Sequence, residues 1–152
     1  MKNKTIVHLI AGLFILLFVY TAISKLFTVH SFQKVLAASP LLSNHAPLFT
    51  WSLPLVELVV AILLYNASTV RLGLYLSLAL MTAFTIYIAY MLAYTPKLPC
   101  SCGGVLKFMT WEQHLVFNIF FILLAIIGIW LYRKQRSNNA ELAITTNQIS
   151  YS

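Results

Sequence analysis

Residues 72–94, LGLYLSLALMTAFTIYIAYMLAY, run from Leu72 to Tyr94 without one Asp, Glu, Lys or Arg. A helix needs about 17–25 predominantly apolar residues to cross the hydrocarbon core of a bilayer, where every backbone polar group must find its partner within the segment. Three further stretches reach that length: Thr5 to Ile23, Leu48 to Tyr65 and His114 to Tyr132. Of the four, only Leu48 to Tyr65 carries a charge, at Glu57. The whole chain agrees, with 61% hydrophobic and 9% charged residues and a mean hydropathy of +0.86, where soluble domains carry about 25% charged residues. The expected fold class is all-α: an integral membrane four-helix bundle in a lipid bilayer.

Lys2 and Lys4 precede the first apolar run, as they would in a secretory signal. That run exceeds the about 7–15 residues of a signal core, and Thr21-Ala22-Ile23-Ser24 is a poor small-residue cleavage site, so it reads as a membrane helix. Orientation follows from basic residues at the span ends. An N-in/C-in arrangement puts Lys2, Lys4, Arg71, Arg133, Lys134 and Arg136 inside, against Lys25, Lys34, Lys97 and Lys107 outside. Aromatic residues follow the same frame, with Tyr20, Trp51, Tyr94 and Trp111 near the outer ends and Tyr65, Trp130 and Tyr132 near the inner ends. The net charge of +7 is thus a topology signal, and no nucleic-acid partner is expected.

Residues 1–136 read as one membrane domain and 137–152 as a polar, disordered cytoplasmic tail without a hydrophobic period. Between the first two spans, Lys25 to Leu36 places apolar residues at 26, 29, 32, 35 and 36, the spacing of a short interfacial helix that ends before Pro40. Asn66 to Arg71 is short enough for a tight turn between antiparallel neighbours.

Both cysteines stand in the connection between the third and fourth spans, in Pro99-Cys100-Ser101-Cys102-Gly103-Gly104. Pro96 and Pro99 stop the preceding helix, and Thr110-Trp111-Glu112-Gln113 matches a capping box that opens the next one. The positive end of that helix, with Lys97 and Lys107, would favour thiolate over thiol. A disulfide between residues two apart closes a very small ring and suits exchange better than stapling. An inert disulfide, or two free thiols sharing a loop, is the alternative.

Glu57 lies six positions after Trp51, roughly 9 Å deeper along a helix, and so needs a partner or a proton inside the bilayer. Intramembrane acids cost about 2.5–3.5 kcal/mol on insertion scales and mark functional candidates. Lys25 is the nearest candidate partner, and the pair reads equally as a packing device or as part of an active centre. His114 and Asn118 are four apart and share one helix face, so His114 is a candidate proton carrier whose ring Asn118 would hold. The plainer reading of His114 is an interfacial residue that caps or meets water. Tyr87, Tyr90 and Tyr94 form a stripe suited to packing and interface anchoring in preference to quinone binding.

The segments Tyr20-Thr21-Ala22-Ile23-Ser24-Lys25-Leu26, Trp51-x-x-Pro54-x-x-Glu57-Leu58, Gly73-Leu74-Tyr75, Pro99-Cys100-Ser101-Cys102-Gly103-Gly104-Val105-Leu106 and Trp111-x-x-His114-x-x-x-Asn118, in this order, resemble the MauE/DoxX group of redox-associated membrane proteins. The resemblance covers roughly residues 5–132. It implies a four-helix membrane bundle of the bacterial cytoplasmic membrane with a Cys pair in the loop, here Cys100 and Cys102. For MauE it further implies a part in methylamine utilisation, supporting maturation of a disulfide-rich periplasmic methylamine dehydrogenase.

Three functions are consistent with these residues. The first is thiol–disulfide exchange at the outer face, as by a thiol–disulfide oxidoreductase: Cys100 and Cys102 cycle, a periplasmic thioredoxin-like or disulfide-rich protein is the partner, His114 handles protons and a quinone near Glu57 accepts electrons. The candidate site is then Cys100, Cys102, His114 and Glu57, supported by Lys25, Asn118 and Trp111. The second is Cu(I) binding by Cys100, Cys102, Met109 and His114. The third is a non-catalytic membrane scaffold.

Overall fold

A computed structural model describes residues 2–38, 43–94 and 111–150, with side chains over 4–38, 43–94 and 112–138. The described residues form five α-helices and one short 3₁₀ turn, with no strand among them. Helix α1 spans Lys2–Phe27, α2 Val29–Ala38, α3 Ala46–Tyr65, α4 Val70–Tyr94 and α5 Trp111–Ser150, and Ser43–His45 is the 3₁₀ turn before α3. Four of these elements contain segments long and apolar enough to cross a membrane: Lys4–Phe27, Ser43–Tyr65, Val70–Tyr94 and Glu112–Asn138. The all-α, four-span reading of the sequence holds.

Helix α1 runs beyond the apolar run that announces it, because nothing in Thr21 to Lys25 breaks a helix. It yields to α2 at Thr28, whose N–H and hydroxyl both reach the Ser24 carbonyl, at 3.0 and 2.8 Å, while its own carbonyl accepts from Phe32 N–H at 2.9 Å. Double use of one carbonyl closes the first helix, and the chain turns with few orphaned groups. The short helix between the first two spans therefore begins at Val29, later than the expected Lys25, and Lys25 belongs to the last turn of α1. Its apolar face, Phe32 and Leu36, packs on Ala46, Phe49 and Leu53 of the α3 region.

The connection from α3 to α4 is the expected tight turn. Asn66 Oδ1 accepts from Ser68 N–H at 3.1 Å, and Thr69 donates its hydroxyl to the Leu63 carbonyl at 2.8 Å and its N–H to the Asn66 carbonyl at 3.0 Å. Side-chain oxygens thus take up groups that the helix ends leave free.

The shared core joins Phe14 and Phe18 of α1, Val60 and Leu64 of α3, Leu74 and Met81 of α4, and Phe121 and Ala125 of α5. Phe14 meets Phe121 edge to face, with ring centroids 5.3 Å apart, the arrangement aromatic quadrupoles favour. Outward, Leu9, Leu16, Ile62 and Val116 are exposed, an apolar surface that suits lipid and not water.

Gly73 lies where the start of α4 packs against the end of α3. A Cβ added there would stand 2.9 Å from the Leu64 backbone nitrogen and from its side chain, so the two helices meet only because residue 73 has none. Gly73→Ala is expected to lower the thermal midpoint of the purified protein in detergent, through overpacking that costs about 1–3 kcal/mol; an unchanged midpoint would show that the helices separate freely.

One expectation needs correction. The backbone of α5 stays helical to Ser150, where a polar tail without secondary structure is expected over 137–152. No Gly or Pro follows Gly128, and adding residues to an existing helix needs no new nucleus. His114, at the start of α5, is 7% exposed.

Candidate functional site

Four residues nominated from separate parts of the sequence, Lys25, Glu57, His114 and Asn118, line one cavity of about 280 Å³. The antiparallel topology brings them together: Lys25 lies in the last turn of α1, Glu57 midway along α3, and His114 and Asn118 in the first two turns of α5. Phe32 and Leu36 of α2 and Phe84, Tyr87 and Ile88 from the second half of α4 complete the walls.

At its centre Lys25 Nζ is paired with Glu57 Oε1. Glu57 is 1% and Lys25 7% exposed, so both charges have left water together. Attraction between them offsets the desolvation cost that either would carry alone. The ammonium also lies 5.1 Å from the Phe84 ring centroid and 5.8 Å from that of Phe32, within reach of their negative faces. On α1, one turn before Lys25, Thr21 stands beside the carboxylate and donates its hydroxyl to the Phe18 carbonyl at 3.3 Å. Glu57 Oε2 and Asn118 Nδ2 are buried without a hydrogen bond.

Local sequence explains the placement of Glu57. Pro54, buried one turn earlier, lies inside α3 and has no N–H to give the Thr50 carbonyl. Thr50 in turn donates its hydroxyl to the Ala46 carbonyl at 2.6 Å. The ladder is thereby interrupted immediately before the acid, on the face that α3 turns inward.

The cavity lies at the end of the bundle where the segments 39–42 and 95–110 join the helices. Cys100 and Cys102 belong to the latter segment and lie outside the described residues, as do Lys97, Lys107, Met109 and the proposed cap Thr110. Trp111 is the first residue of α5, the helix start expected from the capping pattern, with its side chain outside the described set. At the opposite end Arg71, Arg133 and Arg136 surround a second hollow with Tyr132 and Ser137.

Sequence reasoning missed Thr21, Phe32, Phe84 and Tyr87 as wall residues. Tyr87 had been read as a packing and anchoring residue, yet it lines the cavity, whereas Tyr90 and Tyr94 stack on each other with centroids 4.6 Å apart. The signal available was helical register: Phe84, Tyr87 and Ile88 share one face of α4.

Four apolar spans enclosing a buried ion pair define a multi-pass membrane protein. The family model described as Methylamine utilisation protein MauE matches residues 3–131, and the chain belongs to that family. Neither a curated relative nor a solved structure matches it.

Proposed function

We propose that this MauE-family protein performs thiol–disulfide exchange on the outer side of the bacterial cytoplasmic membrane, using Cys100 and Cys102. In the oxidising direction a partner thiolate attacks the Cys100–Cys102 disulfide, forming a mixed disulfide and releasing one thiolate of the pair. The partner's second thiol then displaces the remaining cysteine. Two electrons pass to the pair, the partner gains a disulfide, and the two protons lost by the partner's thiols end on the reduced Cys100 and Cys102. His114 is proposed to carry protons in these steps.

The observation that carries this reading is the convergence of Lys25, Glu57, His114 and Asn118 on one cavity at the end of the bundle to which the cysteine segment is attached. The polar residues then gather at the end from which the segment carrying Cys100 and Cys102 departs. The arginine cluster at the other end supports an N-in/C-in orientation with the cysteines on the periplasmic side. A disulfide-rich periplasmic protein or a thioredoxin-like one is the proposed partner, in keeping with the wider MauE/DoxX likeness and with methylamine utilisation as the family's description.

Alkylation mapping in spheroplasts tests it. A membrane-impermeant maleimide should label Cys100 and Cys102 after reduction and fail to do so after oxidation. Labelling only after the membrane is opened would reverse the orientation, and thiols protected by Cu(I) but not by oxidant would replace exchange with metal binding.

A further inference from the structure

The cavity beside the Lys25–Glu57 pair holds more than a packing defect. Its volume of about 280 Å³ lies near the lower end of ligand pockets, which run from about 300 to 1,000 Å³. Its lining includes half-buried Phe49 and Leu53 of α3 and exposed Ala83 with half-buried Phe84 and Tyr87 of α4, the lining residues through which it comes nearest the surface between these two helices. These residues lie within segments long and apolar enough to span a membrane, so an opening between α3 and α4 would face lipid.

Inside, apolar and aromatic walls surround one unpartnered amide donor, Asn118 Nδ2, and one unpartnered carboxylate oxygen, Glu57 Oε2. Asn118 is 3% exposed. Buried polar atoms without partners cost free energy that a hydrogen-bonding ligand recovers. A lipid acyl chain would fill the space but leave both atoms unsatisfied, and a charged solute would not arrive through the bilayer.

We infer that the cavity binds the ring of a lipid-soluble quinone or quinol, which enters between α3 and α4 and places its ring oxygens against Asn118 and Glu57. A ring oxygen of either form accepts from the Asn118 amide, and a quinol hydroxyl also donates to Glu57 Oε2, so the quinol satisfies both atoms and the quinone the first of them. The flat ring rests among Phe32, Phe84 and Phe117. This deepens the redox reading above, but the binding stands on the cavity alone and is tested apart from the cysteines.

The experiment uses the full chain in phosphatidylcholine nanodiscs, with radiolabelled decylubiquinone as probe and empty nanodiscs to correct for partition. Saturable binding is expected, and Asn118→Leu should weaken it by about tenfold, the loss of one buried hydrogen bond. Ala83→Phe, which obstructs the rim without touching a polar group, should weaken it as well, with the thermal midpoint of both variants checked against the parent. Decylbenzene, which has ring and tail but no oxygens, should fail to compete. The double variant Cys100→Ser/Cys102→Ser should bind the probe like the parent while losing exchange, so failure of the thiol reading leaves this site standing. Binding no greater than partition, equal binding by folded Asn118→Leu and Ala83→Phe, full competition by decylbenzene, or loss of binding in the double serine variant would each overturn the assignment.

Discussion

Lys25→Met alone is expected to destabilise the bundle by about 3 kcal/mol or more, because it strands the Glu57 carboxylate in a site that excludes water. Glu57→Gln should cost less. The amide oxygen that replaces the carboxylate still accepts from Lys25, and the ammonium keeps the faces of Phe84 and Phe32 that stand at 5.1 and 5.8 Å. The double variant Lys25→Met/Glu57→Gln should recover most of the stability lost by Lys25→Met. Thermal unfolding in detergent measures all three, and a Lys25→Met protein that melts with the parent would show that the pair does not hold the helices together. The double variant also divides the two roles open to the pair. A folded but inactive double variant assigns the charges to chemistry or ligand binding, and a folded, active one assigns them to packing.

The second large effect concerns the cysteines. Cys100→Ser and Cys102→Ser should each abolish exchange, since each removes one sulfur of a pair that must both form and resolve a mixed disulfide. The two variants should differ in a second readout. The one that retains the attacking cysteine accumulates a covalent complex with its partner, visible as a reducible band on non-reducing gels. The other accumulates none, because the sulfur it keeps acts only in resolution. Parental turnover in both variants would remove the mechanism. Loss of exchange is expected without loss of the folded bundle, and the thermal midpoint checks that separation.

The particulars show where reading along the chain succeeds. Leu72 to Tyr94 is helical because a charge-free run of that length has no other way to satisfy its backbone in lipid, and the structure carries it as Val70–Tyr94. Glu57 stood out because an acid within such a run demands a partner, and Lys25 proved to be that partner. By contrast, the docking of Phe32 and Leu36 on α3 and the helical course of residues 137–150 had no comparable signal, and the spacing of Phe84, Tyr87 and Ile88 marked a shared face without saying which way it turns. Aromatic residues are welcome on either side of a membrane helix, so composition does not say which face of α4 looks inward. Helix α5 outruns its apolar segment because its backbone bonds continue wherever no residue interrupts them.

The order of residues alone established four membrane-crossing helices and singled out Glu57, Lys25, His114 and Asn118, because transfer into lipid depends on consecutive side chains and penalises each buried polar group individually. Their meeting around one cavity, the omission of a side chain at Gly73 that allows α3 to touch α4, and the unsatisfied atoms of Asn118 and Glu57 emerged from packing. Those features depend on which helix faces complement one another across long separations, such as the ninety-three positions between Lys25 and Asn118, and complementarity between distant surfaces has no local trace in a chain whose lipid-facing and core-facing residues are both apolar.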